Sequence, residues 1–340
     1  MRVSVLINSK AGSVNAELIE AKVRESLFRC DLRFCRPQTL TELCDFLHEE
    51  REQKTDAIII CGGDGTINVA LQCLMKCSDL TQIPPITIVR SGTANDLAHE
   101  IGVSHRIDYA VRNIFEGVVK NIDVIEIGSG EEKKYMLTNG GLGLPAVAAE
   151  LANKFRSNLQ NLGSCPKTAK AFRFLAQKSY YAVKRMGPSV YSMMTAEAIR
   201  TWNPEGWGLE ISIPGKVNVE TSSPIVLINN QQKIGASFLP APYTSNTDGT
   251  VNLLLSETKN VPEHTMAALH IRRGTVEKSP IFKSFELKEF RLKSQNPGRS
   301  LTFFWGWRDP AQRCSGDFCS LFTPRTSCHG KTIGITGGLH

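Results

Sequence analysis

Residues 57–66, Ala57-Ile58-Ile59-Ile60-Cys61-Gly62-Gly63-Asp64-Gly65-Thr66, run from an apolar stretch straight into a glycine turn that carries one carboxylate. The stretch reads as a buried strand and the turn as its carboxyl end. Glycines there bring backbone N–H groups close to an anion with no Cβ in the way. Asp64 is expected as an exposed carboxylate at the strand end, where open α/β sheets place their ligands. A plain strand-to-helix turn needs the same residue types. The device recurs, however, at Ser91-Gly92-Thr93-Ala94-Asn95-Asp96, and the repetition favours phosphate handling.

Working outward, apolar runs at 3–7, 57–60 and 86–89 alternate with helical periodicity at 16–30, 40–51 and 68–76, followed by a helix at 108–115 and a strand at 122–127. That alternation predicts βαβ units and a parallel sheet. After a charged turn over 128–134 the pattern changes. Strand-like segments at 135–139, 209–213, 217–220, 225–229, 251–256 and 285–293, broken by Gly, Pro and Asn, predict a mostly β, sandwich-like second domain. A helical insertion is expected over 148–184, interrupted at 163–166. It mixes Lys154, Arg156, Lys167, Lys170 and Arg173 with Phe155, Phe172, Phe174, Tyr180 and Tyr181. Such a helix suits contact with an anionic membrane, but a helix packed on the sheet with a solvated basic face is the leading reading. The expected division is an α/β nucleotide-binding domain (1–128), a β-rich domain (129–304) and an atypical tail (305–340).

With 340 residues, 41% of them hydrophobic, the chain has material for two cores. It opens directly into strand-like residues with no basic-then-apolar leader, and its apolar runs are strand-sized, far below the ~18 residues of a spanning helix. The ten cysteines are scattered, and Cys44, Cys61 and Cys73 sit in apolar patterns as small core residues rather than metal pairs. These features predict a cytoplasmic protein, peripheral at most on the inner face of a membrane. A net charge of +7 and a pI near 8.9 favour anionic partners in a general way. No nucleic-acid-binding motif accompanies the charge.

A third turn, Asn8-Ser9-Lys10-Ala11-Gly12-Ser13, lies between the first strand and its helix and offers amide, hydroxyl and ammonium groups at a helix N-terminus. The Gly330-Lys331-Thr332 segment is not a P-loop, because Arg325 stands where its first glycine belongs. Together, Asn8, Gly62-Gly63-Asp64-Gly65-Thr66-Ile67-Asn68 and Gly92-Thr93-Ala94-Asn95-Asp96-Leu97-Ala98 resemble the diacylglycerol kinase catalytic domain, as found in soluble bacterial lipid kinases related to sphingosine and ceramide kinases. The likeness continues through Asn139-Gly140-Gly141-Leu142-Gly143 and through Pro242 to Asp248-Gly249, covering about residues 1–304.

The resemblance implies that Asn8, Gly62, Gly63, Gly65, Thr66, Ile67, Asn68, Gly92, Thr93, Asn95 and Asp96 bind or shape the site for ATP, with Asp64 the catalytic carboxylate near the transferring phosphate. It also implies a Mg²⁺ held by Ser245, Asp248 and Thr250, with Asp123 linking that ion to Asp64 through water. Read without the resemblance, Asp248-Gly249 is simply a good turn before a strand. Val69 and Asn252 depart from the family's acidic residues. The acceptor would be a lipid alcohol at a membrane surface, and an exposed sheet edge leaves a homodimer open.

Phosphoryl transfer needs an in-line hydroxyl, held phosphates, charge compensation and a proton acceptor. Members of the family continue Gly-Asp-Gly-Glu after the segment matching Ser300 to Phe304, whereas this chain reads Trp305-Gly306-Trp307-Arg308-Asp309. One T inserted ahead of GGG GAT GGA GAG AT yields TGG GGA TGG AGA GAT, which encodes that replacement. The tail is therefore expected to be out of frame, without strand or helix, and the sheet to lose a final strand. Alternatively it is a divergent natural tail. The leading expectation is an ATP-dependent lipid kinase, with diacylglycerol as the type of acceptor. The alternatives are an NAD kinase, which shares the Gly-Gly-Asp-Gly turn, and a non-catalytic lipid- or nucleotide-binding remnant.

Overall fold

The computed structural model describes residues 1–9, 15–76, 83–92, 94–129, 132–164, 188–215, 218–235, 237–296, 301–305, 312–314, 319–322 and 332–337. The N-terminal domain is built on β1 (Arg2–Ile7), β2 (Asp31–Cys35), β3 (Ala57–Gly62) and β4 (Ile86–Arg90), which pair in parallel, with β5 (Val118–Asp123) at one edge. Its helices are α1 (Ala16–Ser26), α2 (Leu40–Glu52), α3 (Asp64–Leu74), α4 (Asp96–Glu100) and α5 (Ile107–Glu116). Every residue of β3 is buried, as an unbroken apolar run in a sheet covered on both faces requires. Local caps fix the helix starts: the Asn15 side chain accepts from the Glu17 N–H at 2.8 Å, and Thr39 Oγ1 accepts from the Glu42 N–H at 3.2 Å.

The second domain is a sandwich of two six-stranded sheets. One contains β6 (Ile125–Ser129), β7 (Glu132–Met136), β9 (Leu209–Ser212), β10 (Val219–Thr221), β14 (Glu289–Ser294) and β17 (Cys319–Phe322). The other contains β8 (Gly140–Gly143), β11 (Ile225–Asn229), β12 (Val251–Ser256), β13 (Phe282–Leu287), β15 (Leu301–Trp305) and β16 (Gln312–Cys314). Side-chain alternation assigns the faces. Val226, Ile228, Leu253, Leu255 and Phe303 fill the core between the sheets, while Ile225, Leu227, Leu254 and Phe304 point outward. That outward face is covered by α6 (Leu144–Ser164), α7 (Pro188–Thr201) and α8 (Val261–Arg273), giving a separate helical layer. Among the described residues no helix is long and apolar enough to cross a membrane.

The α/β domain with a parallel sheet and the β-rich domain with helices agree with the expected fold class. Several local expectations change. The helix predicted from residue 68 begins at Asp64, because Gly63 serves as its N-cap and the acidic first turn complements the helix dipole. The strand predicted at 122–127 is two strands in different sheets, and that at 285–293 is likewise β13 and β14. Elements α4, α7, α8 and β2 were not expected. Residues 165–187 of the basic insertion lie outside the described residues.

The tail is the largest correction. It supplies β16, which pairs with β15, β17, which sits between β14 and β6, and β18 (Thr332–Gly337), which lies in the first sheet between β4 and β5. Ile335 aligns with Ile86 of β4 and with Lys120 of β5. The β-branched run Thr332-Ile333-Gly334-Ile335-Thr336 fits a strand interior well. The chain's end thus returns to the N-terminal domain.

A second correction concerns Cys44 and Cys73. They are not separate core thiols but form a disulfide that ties α2 to α3, with Cα atoms 5.1 Å apart. Cys61 remains a free core thiol whose pKa burial pushes far up. The bond closes a separation of 29 residues, for which loop-closure entropy gives roughly 3–4 kcal/mol of stabilisation. Cys44→Ala should lower the free energy of unfolding by about that amount in urea titrations without reductant. The variant and wild type should converge in dithiothreitol.

Candidate nucleotide and cation site

The glycine turns meet where expected, at the carboxyl edge of the first sheet. A Cβ on Gly92 would come 2.4 Å from Gly63 Cα, and one on Gly63 would come 2.8 Å from Gly92 Cα. Only two glycines allow backbones this close, so the turns after β3 and β4 form one surface. The second turn is locked by Asn95, whose Oδ1 accepts from the Gly92 N–H at 2.9 Å and whose Nδ2 donates to the Gly92 carbonyl at 3.0 Å. Asn95 adopts left-handed backbone angles, φ 54° and ψ 45°, which asparagine tolerates better than most residues. The β1 turn joins through Asn8, whose Nδ2 donates to Thr66 Oγ1 at 2.8 Å. A Cβ on Gly62 would strike Thr66, 2.5 Å away.

Asn68 lies on α3, fully buried, and both atoms of its amide lack a hydrogen-bond partner. An orphaned buried amide is costly without a ligand or water. Ile67, in contrast, turns its side chain into the first core, so only its backbone belongs to the turn. Gly65 sits in the first turn of α3, and Thr93 lies outside the described residues.

Asp64 is not the exposed carboxylate expected from the sequence. It is half-buried, and its Oδ2 and Oδ1 accept the N–H groups of Asp96 and Leu97 at 3.1 and 3.2 Å. It therefore fastens the first turn to the second by capping α4, in the manner of an N-cap carboxylate. Asp96 is buried in turn, and its Oδ2 accepts the Gly235 N–H of the second domain at 2.5 Å.

Gly235 belongs to a polar loop after β11 that sequence reasoning missed. Asn139 Oδ1 accepts from the N–H groups of Asn230 and Gln231 at 2.8 and 3.0 Å, while its Nδ2 donates to the carbonyls of Gln231 and Lys233 at 3.0 and 2.8 Å. Asn230 Nδ2 reaches the carbonyls of Asp123 and Leu137 at 2.9 and 2.7 Å. The available signal was the polar run Asn229-Asn230-Gln231-Gln232 directly after an apolar strand.

The expected cation residues lie at the far end of this framework. Asp248 Oδ1 accepts from the N–H and Oγ1 of Thr250 at 2.9 and 2.8 Å, and Ser245 Oγ contacts Thr247 Oγ1 at 3.0 Å. Asp123 is buried, and its Oδ2 accepts the Gly249 N–H at 2.8 Å. Burial raises its pKa first, and the neighbouring Asp248 charge adds to the rise. Two facing carboxylates with oxygen donors around them suit a hard cation. Among the described residues no three His, Cys, Asp or Glu side chains converge on one point, so a cation held here would need backbone carbonyls and water as further ligands. Asn252 donates to Ser284 Oγ and Glu286 Oε1 at 2.7 and 2.8 Å, which returns a carboxylate to the side where the sequence lacks one.

The parallel sheet with its fused glycine turns is thus backed by a β sandwich, and a loop of the sandwich reaches the turn after β4. Residues 2–127 match the model of the diacylglycerol kinase catalytic domain. Over 114 residues it is 31% identical to the “Probable lipid kinase YegS” of Escherichia fergusonii, covering 34% of this chain and 37% of that protein. A Shigella flexneri protein of the same name is 32% identical over the same length. The match thus spans little more than a third of those relatives. The whole fold is similar to the crystal structure of a diacylglycerol kinase from Bacillus anthracis Sterne, with TM-score 0.67 and 17% identity over 99% of this chain and 97% of that one. A second structure from that organism gives 0.70 at 18% identity.

Because the folded Asp123 pKa is raised, its contribution to stability is present below the ordinary carboxylate range and is lost as pH rises through the folded value. Asp123→Asn should therefore melt higher than wild type at neutral pH without divalent metal. The difference should shrink on acidification towards pH 3, as followed by circular dichroism.

Proposed function

We propose that the chain is an ATP-dependent lipid kinase acting at the cytoplasmic face of a membrane. The observation that carries this reading is the fusion of the Gly63 and Gly92 turns into one backbone surface at the sheet edge. Backbone N–H groups there, with Asn8, Thr66, Asn68 and Asn95, would hold the triphosphate. Asp64 would act through α4, keeping the second turn in register with the first. Ser245, Asp248 and Thr250 with Asp123 would hold Mg²⁺, which when bound supplies positive charge against developing phosphate charge.

The acceptor reading is supported by a cavity of about 60 Å³ in the helical layer of the second domain. Leu144 and Ala148 of α6, Ile199 of α7, Ile271 of α8 and Phe304 of β15 line it. Among the described residues Thr195 alone gives it a polar side chain, which fits an acyl or alkyl chain better than a nucleoside such as NAD. No carboxylate lines it among the described residues, and β15 ends at Trp305 in place of the family's acidic motif. A missing proton acceptor typically costs ~100- to 10,000-fold in rate, so turnover should be slow. A shifted reading frame at Trp305 would account for the loss. Genomic sequence from independent reads tests it, since an in-frame gene removes the idea.

Incubation with γ-labelled ATP and Mg²⁺ should label a lipid in a total lipid extract, diacylglycerol being the first acceptor to try, and should not label NAD. Gly92→Ala should weaken ATP binding at least about tenfold in calorimetry, because the added Cβ drives the turns apart. ATP binding without any labelled product identifies the non-catalytic remnant, and labelled NADP alone identifies the NAD kinase.

A further inference from the structure

We propose that Arg90, His99, His105 and Lys233 form a second anion site, for the phosphate group of a ligand other than the nucleotide, at the junction of the two domains. Arg90 ends β4 and is half-buried. Its Nη1 lies 2.8 Å from His105 Nε2, and its Nη2 donates to the Ala98 carbonyl at 2.9 Å. Neither partner is a carboxylate.

Lys233 comes from the second domain. Two contacts set its place: Gly235 N–H on Asp96 at 2.5 Å, and Asn139 Nδ2 on the Lys233 carbonyl at 2.8 Å. Asp96 opens α4, the helix that carries His99, so the two contacts bring the Lys233 loop onto the His99 helix. Burial lowers the His99 pKa, and the charges of Lys233, Arg90 and His105 lower it further, as converging cations must. The acidic groups facing them are engaged or weakened. Asp64 caps α4 through two N–H groups. The Glu100 carboxyl is pushed up by burial, against the pull of Lys233, the Gln232 backbone and Lys120.

The cluster adjoins the nucleotide turns: Arg90 precedes Gly92 by two residues, and its guanidinium reaches the Ala98 carbonyl in α4 and His105 beyond that helix. Asn8 and Gly62–Gly63 come from β1 and β3, on the side of β4 away from β18 and β5. A guanidinium and an ammonium with imidazole N–H groups suit a phosphate mono- or diester. Since Arg90 and Lys233 belong to different domains, such a phosphate would clamp them together. The proposal holds whichever acceptor the kinase uses.

The source of the phosphate, a lipid headgroup or a soluble ion, is resolved by two probes on the full chain with saturating ADP. One is sedimentation with phosphatidylcholine vesicles with and without phosphatidylglycerol. The other is a thermal shift with inorganic phosphate. Binding that needs phosphatidylglycerol, weakened about tenfold in Lys233→Gln, assigns a headgroup. A phosphate-dependent rise in melting temperature, lost in the same variant, assigns a soluble ligand. In either case Lys233→Gln should keep wild-type ADP affinity, which separates a local effect from misfolding, and the exposed His105→Asn repeats the test should Lys233→Gln fail to fold. No response of wild type to either probe, or an unchanged response in both variants, overturns the proposal.

Discussion

The hydrogen bond from the Gly235 N–H to the buried Asp96 carboxylate holds the molecule's working geometry together. It is a charge-assisted contact between domains, and neither partner has water to replace the other. Breaking one side would leave a buried carboxylate or a buried N–H unpaired, which is more costly than the bond's net worth suggests. Asp96 also opens α4, whose N-terminus is capped by Asp64 from the first glycine turn. One short segment therefore ties together both glycine turns and the loop of the second domain that meets them.

Around this bond the junction is polar and buried. Asn139, Asn230 and Asp123 satisfy backbone groups on three separate segments, but Thr138 Oγ1, Asn230 Oδ1, Thr244 Oγ1 and Asn246 Nδ2 are buried without partners. A network satisfied in this way only in part is unstable until water, metal or ligand completes it.

The N-terminal sheet was legible because its strands are continuous apolar runs and its glycine turns carry their own steric meaning. Gly63 and Gly92 could each be recognised as turn glycines, but their contact could not, because nothing local records that two turns 29 positions apart must touch. Asp64 was misjudged for a related reason: a carboxylate after a glycine pair looks solvent-facing until α4, a helix of five residues with no periodic signal, supplies the N–H groups that bind it. The helical layer of the second domain escaped because α7 and α8 are only weakly amphipathic. The tail escaped because it was read from the replacement at Trp305 to Asp309, and nothing local records the open place beside β4 that Ile335 fills.

That open place sets a limit on how the tail can be read. Between β4 and β5 the first sheet needs a strand that runs parallel to one and antiparallel to the other. Without it, both strands would present unpaired backbone groups in the middle of a sheet, an arrangement that invites association with other chains. Ile335 is fully buried there, and Thr336 is nearly so beside Thr87. Whatever event produced the sequence after Phe304, its last strand has the composition to close the sheet. The residues that follow Phe304 and the closure of the first sheet are therefore separate matters, and the scaffold that carries the glycine turns is complete with this tail.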